Sequence, residues 1–402
     1  MITPRLADTR NARDERLDFF RGLAMFIIFV AHADINPLNN WIPAQFGFSS
    51  GAEVFVFCSG FASALAFGSV FLKRGFLLGT ARVVHRIWQI YWAHLCSALV
   101  VIFLMATASG MFPSLHLDPL VPLATDPLGA LLGLMSLRWL PGYLDILPMY
   151  IAMLAMLPLM ATARKFHEGL PFVLSLSFYA LVWTAGLNFT GNPWTGEGWY
   201  FNPFAWQLLF FSGFAFAMGW IPAPSLRDRR LLVLSVLFLG LSFPMAYWRV
   251  RMVWPDLQAW HDQLFSPREK TDLHILRVIH FFAVSYVALF LIDPIRRRLT
   301  SGAASVIVLV GQQSLAVFLA SIVTARVASV VLQLAGTGVV VSTLVNATGF
   351  GIIIATARIT RFFKSAPWRK PQLPKTPSLD GVIAALPDFN NGSLSEIAPT
   401  QR

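Results

Sequence analysis

Apolar positions run along this chain in long, nearly unbroken stretches rather than in the alternating or one-sided patterns of soluble domains. Windows of about 18 to 25 residues recur over most of the length, which suits helices crossing a bilayer. The pattern predicts about ten spans, near 18–35, 53–72, 87–107, 142–162, 170–188, 204–221, 230–248, 276–292, 304–324 and 338–357. The expected fold class is therefore all-α, a polytopic integral membrane helical bundle. Residues 108–141 form a long connection with Pro113, Pro119, Pro122 and Pro127, and its apolar run 128–137 is too short to span, so it is expected to be re-entrant or interfacial. From Ala366 onward Pro, Ser and Asn appear with no sustained period, the signature of a disordered end. The expected organisation is an N-terminal segment 1–16, a membrane domain 17–365 and a tail 366–402. No solenoid repeat and no clear inverted repeat is visible.

Composition strengthens this picture. Hydrophobic residues make up 56% and charged ones 13%, about half the charged share of a soluble domain. The net charge of +11 does not point to nucleic acid, because the basic residues lie in short clusters between spans. Arg5, Arg10, Arg13 and Arg16 precede the first span, and Lys73, Arg74, Arg82 and Arg86 follow the second. Arg164 and Lys165, then Arg227, Arg229 and Arg230, then Arg296, Arg297 and Arg298 mark further even-numbered connections, with Arg358 and Arg361 after the last span. The intervening connections are poor in positive charge, except 249–275, where acidic residues accompany the basic ones. Both termini are thus expected to be cytoplasmic. Cys58 and Cys96 fall inside spans and read as buried packing residues rather than a disulfide or metal pair. Ala31-His32-Ala33 imitates a signal-peptide cleavage site, but Asp18 and Arg21 so close to the apolar run argue against that reading.

The chemistry stands out against this apolar ground. Arg21 and His32 lie eleven residues apart on the first span, close to three helical turns, so they share a face at roughly 16 Å separation along the axis. Polar groups in a span are costly and point to function. On the expected topology His32, Glu53, Asp145, the group Asn202, Trp206 and Gln207, and the pair Arg277 and His280 all fall at one depth near the outer leaflet, with Tyr150 about a turn deeper than Asp145. Each alone reads as snorkelling or capping, but together they suggest a polar pocket opening outward, with His32 as its acid–base group. Glu53 and Asp145 are both candidates to hold the imidazole. Trp194, Trp199, Tyr200, Phe201 and Trp206 suit either an interfacial belt or a sugar-stacking wall.

Other polar residues read as structural. His85, His167, His261 and His274 lie in connections and are expected to be solvated, and His94 to be a hydrogen-bonded packing residue. Gln312, Gln313 and Ser314 are expected near mid-membrane in interhelical hydrogen bonds, with channel lining the alternative, and Gly60, Ala64 and Gly68 to form a close-contact helix face. No metal-ligand spacing, phosphate-binding glycine loop or nucleophile elbow is present.

The Arg21-to-His32 spacing resembles the arginine–histidine signature of membrane acyltransferases that modify polysaccharides outside the cell. More specifically, LDFFRGLAMFIIFVAH, FGFSSGAEVFVFCSGF, LDILPMYI and NPFAWQLL resemble the OpgC family of osmoregulated periplasmic glucan succinyltransferases, a likeness running from about residue 15 to 360. It implies a multi-pass bacterial inner-membrane enzyme of about ten helices, surrounded by membrane lipid, that passes a succinyl or similar acyl group from cytoplasmic acyl-CoA, chiefly succinyl-CoA, to hydroxyls of periplasmic glucans. It makes the glucan-synthesis machinery a candidate partner, while the residues themselves lead to the expectation of no metal and no nucleic-acid partner.

By the same likeness His32, Glu53 and Arg21 are the catalytic candidates, with Arg21 also toward the donor's phosphates or pantetheine arm. Asp145, Asn202, Arg277 and His280 are matched as substrate-binding candidates, and Tyr150, Trp206 and Gln207 join them from their expected depth. A structural pair with Asp18 is the alternative role for Arg21, and two routes stay open, direct transfer and transfer through acyl-His32. The rivals from other classes are a transporter or flippase of a glycan or anionic substrate, which would show the same intramembrane charges, and a non-catalytic partner of a glycan synthase.

Overall fold

The structure is a computed structural model, and it describes residues 14–113, 115, 120–265 and 268–368. Most of the expected N-terminal segment (1–13) and the expected tail from 369 onward lie outside the described residues. The first helices are α1 (Glu15–His32), α2 (Gly51–Ser63) and α3 (Ser69–Met111), the last two joined through a π-helical turn at Ala64–Gly68. Two short helices follow, α4 (Val121–Thr125) and α5 (Pro127–Met135), then α6 (Ile146–Phe166) and α7 (Leu170–Ala185). The only strands among the described residues, β1 (Thr190–Asn192) and β2 (Glu197–Gly198), make a small antiparallel ribbon. Beyond it come α8 (Pro203–Ala217), α9 (Arg229–Ala246), α10 (Trp248–Val253), α11 (Pro255–Leu264) and α12 (Ile275–Ile292). The series closes with α13 (Gly302–Gln312), α14 (Ser314–Ala335) and α15 (Val339–Ser365).

The chain is thus almost wholly helical, as expected of a membrane protein. Six helical segments are long and apolar enough to cross a bilayer: Gly51–Met111, Ile146–Phe166, Arg229–Ala246, Ile275–Thr300, Ser314–Ala335 and Val339–Ser365. Three more apolar helices, α7, α8 and α13, are shorter.

Two boundaries differ from expectation. The spans expected at 53–72 and 87–107 belong to one helical run, interrupted at Gly75, whose φ of 85° is open to glycine but strained for other residues. The span expected at 304–324 is two helices, because Gln313 leaves the helical region (φ −107°, ψ 28°) and α14 starts afresh at Ser314. Gln312 and Gln313 therefore sit at a helix break. Arg326, assigned by pattern to a connection, lies inside α14 and is buried.

Side-chain caps start the helices that matter for the site. Asp14 accepts from the N–H of Arg16 at the head of α1, and Asn202 from that of Phe204 at the head of α8. Ser50 and Glu53 form a reciprocal capping box on α2. Glycines then let backbones meet. A Cβ at Gly22 would collide with the Ile307 carbonyl, and one at Gly311 with that of Asp18, so α1 and α13 touch main chain to main chain. Gly60 meets the Phe210 carbonyl and Gly213 that of Phe57, which joins α2 to α8 and bears out the small-residue face expected on the second span. Met25, Ile28 and Phe29 of α1 lie in the main core cluster, together with Phe210 of α8 and Phe318 of α14. Of the two free cysteines Cys58 is buried, whereas Cys96 is exposed on the surface of α3.

Candidate functional site

His32 is the last residue of α1, half-buried beside a cavity of about 760 Å³. Its Nδ1 lies 2.6 Å from the Ile28 carbonyl oxygen, one turn back. A carbonyl can only accept, so Nδ1 carries the proton and Nε2 of the neutral ring is left with its lone pair. The orienting group is therefore the main chain of α1, not Glu53 or Asp145 as the sequence suggested. Tyr143 packs edge-on to the imidazole, with centroids 5.0 Å apart, and its hydroxyl donates to Asp34 at 2.8 Å. Arg326 of α14 closes this cluster. It donates to the His32 carbonyl oxygen and to Asp34 (3.0 Å), and its guanidinium lies 4.0 Å from the centre of the Tyr143 ring.

Around His32 the cavity is walled by Trp139, Trp199, Tyr200 and Phe201, with Asp145, Glu197 and Lys270 as its charged members. The ribbon of β1 and β2 shapes this wall, and Trp199 Nε1 is anchored on the carbonyls of Leu137 (3.0 Å) and Thr190 (3.1 Å). The aromatic segment thus lines the cavity at 199–201. Trp194 instead packs behind Trp139, and Trp206 is fully buried against Phe201.

The remaining candidates separate into distinct arrangements. Glu53 is wholly buried, its Oε1 taking Arg277 Nε (2.9 Å) and Nη2 (2.6 Å), its Oε2 taking the N–H (2.8 Å) and hydroxyl (2.7 Å) of Ser50. Since Ser50, Gly51 and Ala52 line the cavity, this pair fixes part of its wall. His280 is turned to Ser49, accepting from its N–H at 3.3 Å with the hydroxyl 2.8 Å away.

Asn202 and Trp206 hold the 270–272 turn. Asn202 Nδ2 donates to Asp272 (2.9 Å), and Trp206 Nε1 to the carbonyls of Lys270 (3.0 Å) and Thr271 (3.2 Å). Gln207 is bonded to Ser175 of α7, its Nε2 donating to the carbonyl (2.8 Å) and its Oε1 accepting from the hydroxyl (2.7 Å), and it lines neither cavity. Neither Gln207 nor His280 is among the residues lining the His32 cavity, because Ser175 of α7 and Ser49, in the loop before α2, claim their polar atoms first.

Lys270 is a cavity-lining residue that the sequence alone does not single out, hidden among mixed charges in the 249–275 connection. Burial holds its ammonium below the ordinary lysine pKa, with Arg277 pushing the same way and Glu53, Glu269 and Asp145 opposing. Arg326 was missed for a different reason: the signal, an arginine in an apolar run, was present, but the misplaced span boundary put it in a loop.

A second cavity, about 400 Å³, lies at the other end of α1. Arg21, Arg82, His85 and Arg86 line it, with Ser59, Ser63 and Tyr150, over apolar Phe55, Leu147 and Phe318. Arg21 Nη2 donates to the Cys58 carbonyl at 2.8 Å, while its buried Nε has no hydrogen-bond partner among the described residues. Tyr150, 3.2 Å from the Ser63 hydroxyl, belongs to this cavity and not to that of His32. The two cavities are separated by a thin apolar layer, since Ala52 and Ile146 line the first while Phe55 and Leu147 line the second.

Among the other histidines, His94 is buried with neither ring nitrogen partnered among the described residues, against the hydrogen bond expected of it. His85 lines the second cavity, and His274 caps α12 by accepting from Leu276 rather than standing solvated. Among the described residues no cluster of His, Cys, Asp and Glu could hold a metal ion.

No curated protein and no solved structure matches this chain. A family model described as "OpgC protein" does, over residues 13–365, which takes in both cavities and every helix that lines them. The chain belongs to the OpgC protein family, and that membership implies a membrane acyltransferase of the glucan-modifying type.

Proposed function

We propose that this protein is a transmembrane O-acyltransferase that passes a succinyl or similar acyl group from cytoplasmic acyl-CoA to hydroxyls of periplasmic glucans. It would reside in the bacterial inner membrane with both termini cytoplasmic, an orientation supported by the clusters of basic residues between spans. One observation carries the reading. A single helix presents an imidazole with a bare Nε2 to an aromatic cavity at one end, and an arginine to a basic cavity at the other. The aromatic cavity suits a sugar, whose apolar ring faces stack on Trp and Tyr. The basic cavity suits the phosphates of a nucleotide thioester.

In this scheme Arg21, Arg82 and Arg86 bind the donor's phosphates. The pantetheine arm runs along α1 past the apolar layer and brings the thioester to His32. Nε2 removes the proton of a glucose hydroxyl as its oxygen attacks the thioester carbon. The tetrahedral intermediate collapses, the carbon–sulfur bond breaks, and the thiolate leaves with the proton from Nε2. Since the Ile28 carbonyl keeps Nδ1 protonated throughout, one nitrogen both takes and returns the proton. Glu53 and Arg277 act as positioning residues, holding the start of α2 against the cavity.

The test is acyl transfer by purified protein in lipid, with labelled succinyl-CoA and a glucan acceptor. Labelling should be lost in His32→Ala and kept in His94→Ala. Full activity in His32→Ala would overturn the assignment, and glucan crossing sealed vesicles without a donor would favour a transporter.

A further inference from the structure

The His32 cavity holds one feature that acyl transfer in general does not require. Among the described residues that line it, Lys270 is the only lysine or arginine. Its backbone is held from two helices: Trp206 and Asn202 of α8 grip the carbonyls of Lys270 and Thr271, and the Tyr179 hydroxyl of α7 donates to the Leu273 carbonyl at 2.9 Å. The side chain is thus aimed by a rigid turn rather than left to wander. Its ammonium lies 5.7 Å from the ring centres of both Tyr200 and Phe201.

Three of the nearby carboxylates are committed elsewhere. Glu53 and Glu269 pair with Arg277, and Asp272 pairs with Arg268 at 2.9 Å. Among the described residues no carboxylate comes within ion-pair distance of Lys270, including Asp145, which lines the same cavity. A partly buried ammonium on an aromatic wall, facing an open cavity, is built to take an anion from outside the chain.

We propose that Lys270 forms a carboxylate-binding subsite, which takes the free carboxylate of a substrate while His32 works in the same cavity. This rests on the acyltransferase reading and deepens it. The carboxylate would arrive either as the distal acid of a dicarboxylic acyl group or as an acidic substituent on the glucan. In the first case Lys270 selects a succinyl-type donor over a neutral acyl group.

The full chain in lipid nanodiscs tests this with succinyl-CoA and butyryl-CoA as donors, each offered a neutral glucan and a glucan oxidised to carry carboxylates. The charge-assisted contact predicts a kcat/KM at least about tenfold higher for the carboxylated substrate. In Lys270→Met that preference should fall to near unity while butyryl transfer to neutral glucan persists, and Lys270→Arg should restore much of it. A preference that disappears from the donor pair assigns the carboxylate to the acyl group, and one that disappears from the acceptor pair assigns it to the glucan. A preference unchanged in Lys270→Met overturns the proposal. So does an equal fall for all four combinations, which would place Lys270 in a step common to every substrate.

A binding measurement separates this from failure of the enzyme reading. Quenching of tryptophan fluorescence by 6-O-succinylglucose should be stronger than by 6-O-butyrylglucose, and the difference should vanish in Lys270→Met. If the wild type transfers no acyl group from any donor, the acyltransferase reading fails, and this binding difference still decides the subsite.

Discussion

The two ends of α1 serve opposite chemistries. The His32 end opens into an aromatic cavity with few charges, where the one base is oriented by a main-chain carbonyl. The Arg21 end opens into a smaller cavity crowded with cations, where a guanidinium keeps a donor nitrogen unused among the described residues. The first arrangement can hold a neutral polyol and move a proton; the second, with three arginines beside His85, can hold an anion. On the proposed mechanism this division lets one helix serve two substrates that never share a compartment, with only an apolar layer between their sites.

Several substitutions would break or sharpen that contrast. The largest effect belongs to the base: His32→Gln should lower kcat by about 10²–10⁴-fold, with little change in the KM for the donor. Steady-state kinetics with both substrates varied reads it, and a rise in donor KM alone would blur the division. Next comes the buried pair behind the cavity. Arg277→Met leaves the Glu53 carboxylate uncompensated and should cost about 3–5 kcal/mol of stability, seen as a lower unfolding temperature in detergent. At the other end, Arg21→Met or Arg86→Gln should raise donor KM by roughly tenfold while leaving acceptor KM alone, the mirror image of an aromatic-wall variant. Tyr200→Ala should raise acceptor KM only several-fold, since one ring face contributes about 0.5–1.5 kcal/mol.

The smallest effect concerns pH. Burial and Arg277 disfavour the charged form of Lys270, and Glu53, Glu269 and Asp145 only partly offset them. Its proton is therefore lost at lower pH than from a free lysine. Any preference for carboxylated substrates should fade on the alkaline side, starting below the ordinary lysine range, and competition rates measured across that limb would show it.

Much of this was legible in the sequence because it depends on local rules. The apolar runs gave the helical class and the eleven-residue spacing put Arg21 and His32 on one face, whereas Glu53, by sequence a candidate partner for the imidazole, is instead half of the capping box at the head of α2. Convergence in depth was harder to use. Depth along a helix says nothing about which way a side chain turns, so residues expected at one level divide between the cavity wall (Asp145), a buried ion pair (Glu53 and Arg277), a clamp on a turn (Asn202 and Trp206), a bond to a neighbouring helix (Gln207) and one to the loop before α2 (His280). The imidazole's partner was invisible for a related reason: every residue carries a carbonyl, so nothing in the letters marks Ile28. Lys270 lay in a connection whose mixed charges looked like solvated surface, and only the hydrogen bonds from α7 and α8 turn it inward.

The glycine crossing of α1 and α13 has a consequence for substrate length. Near Arg21 the helix is docked backbone to backbone at Gly22 and Gly311, and at its far end Arg326 grips the His32 carbonyl itself. The first anchor has no side chain to rotate away and the second ties the main chain of His32, so the helix between them behaves as a fixed gauge. On the proposed mechanism a thioester carried on a truncated arm could reach the guanidinium or the imidazole, but not both at once. Donor length would then be measured by the backbone before any acyl group is recognised.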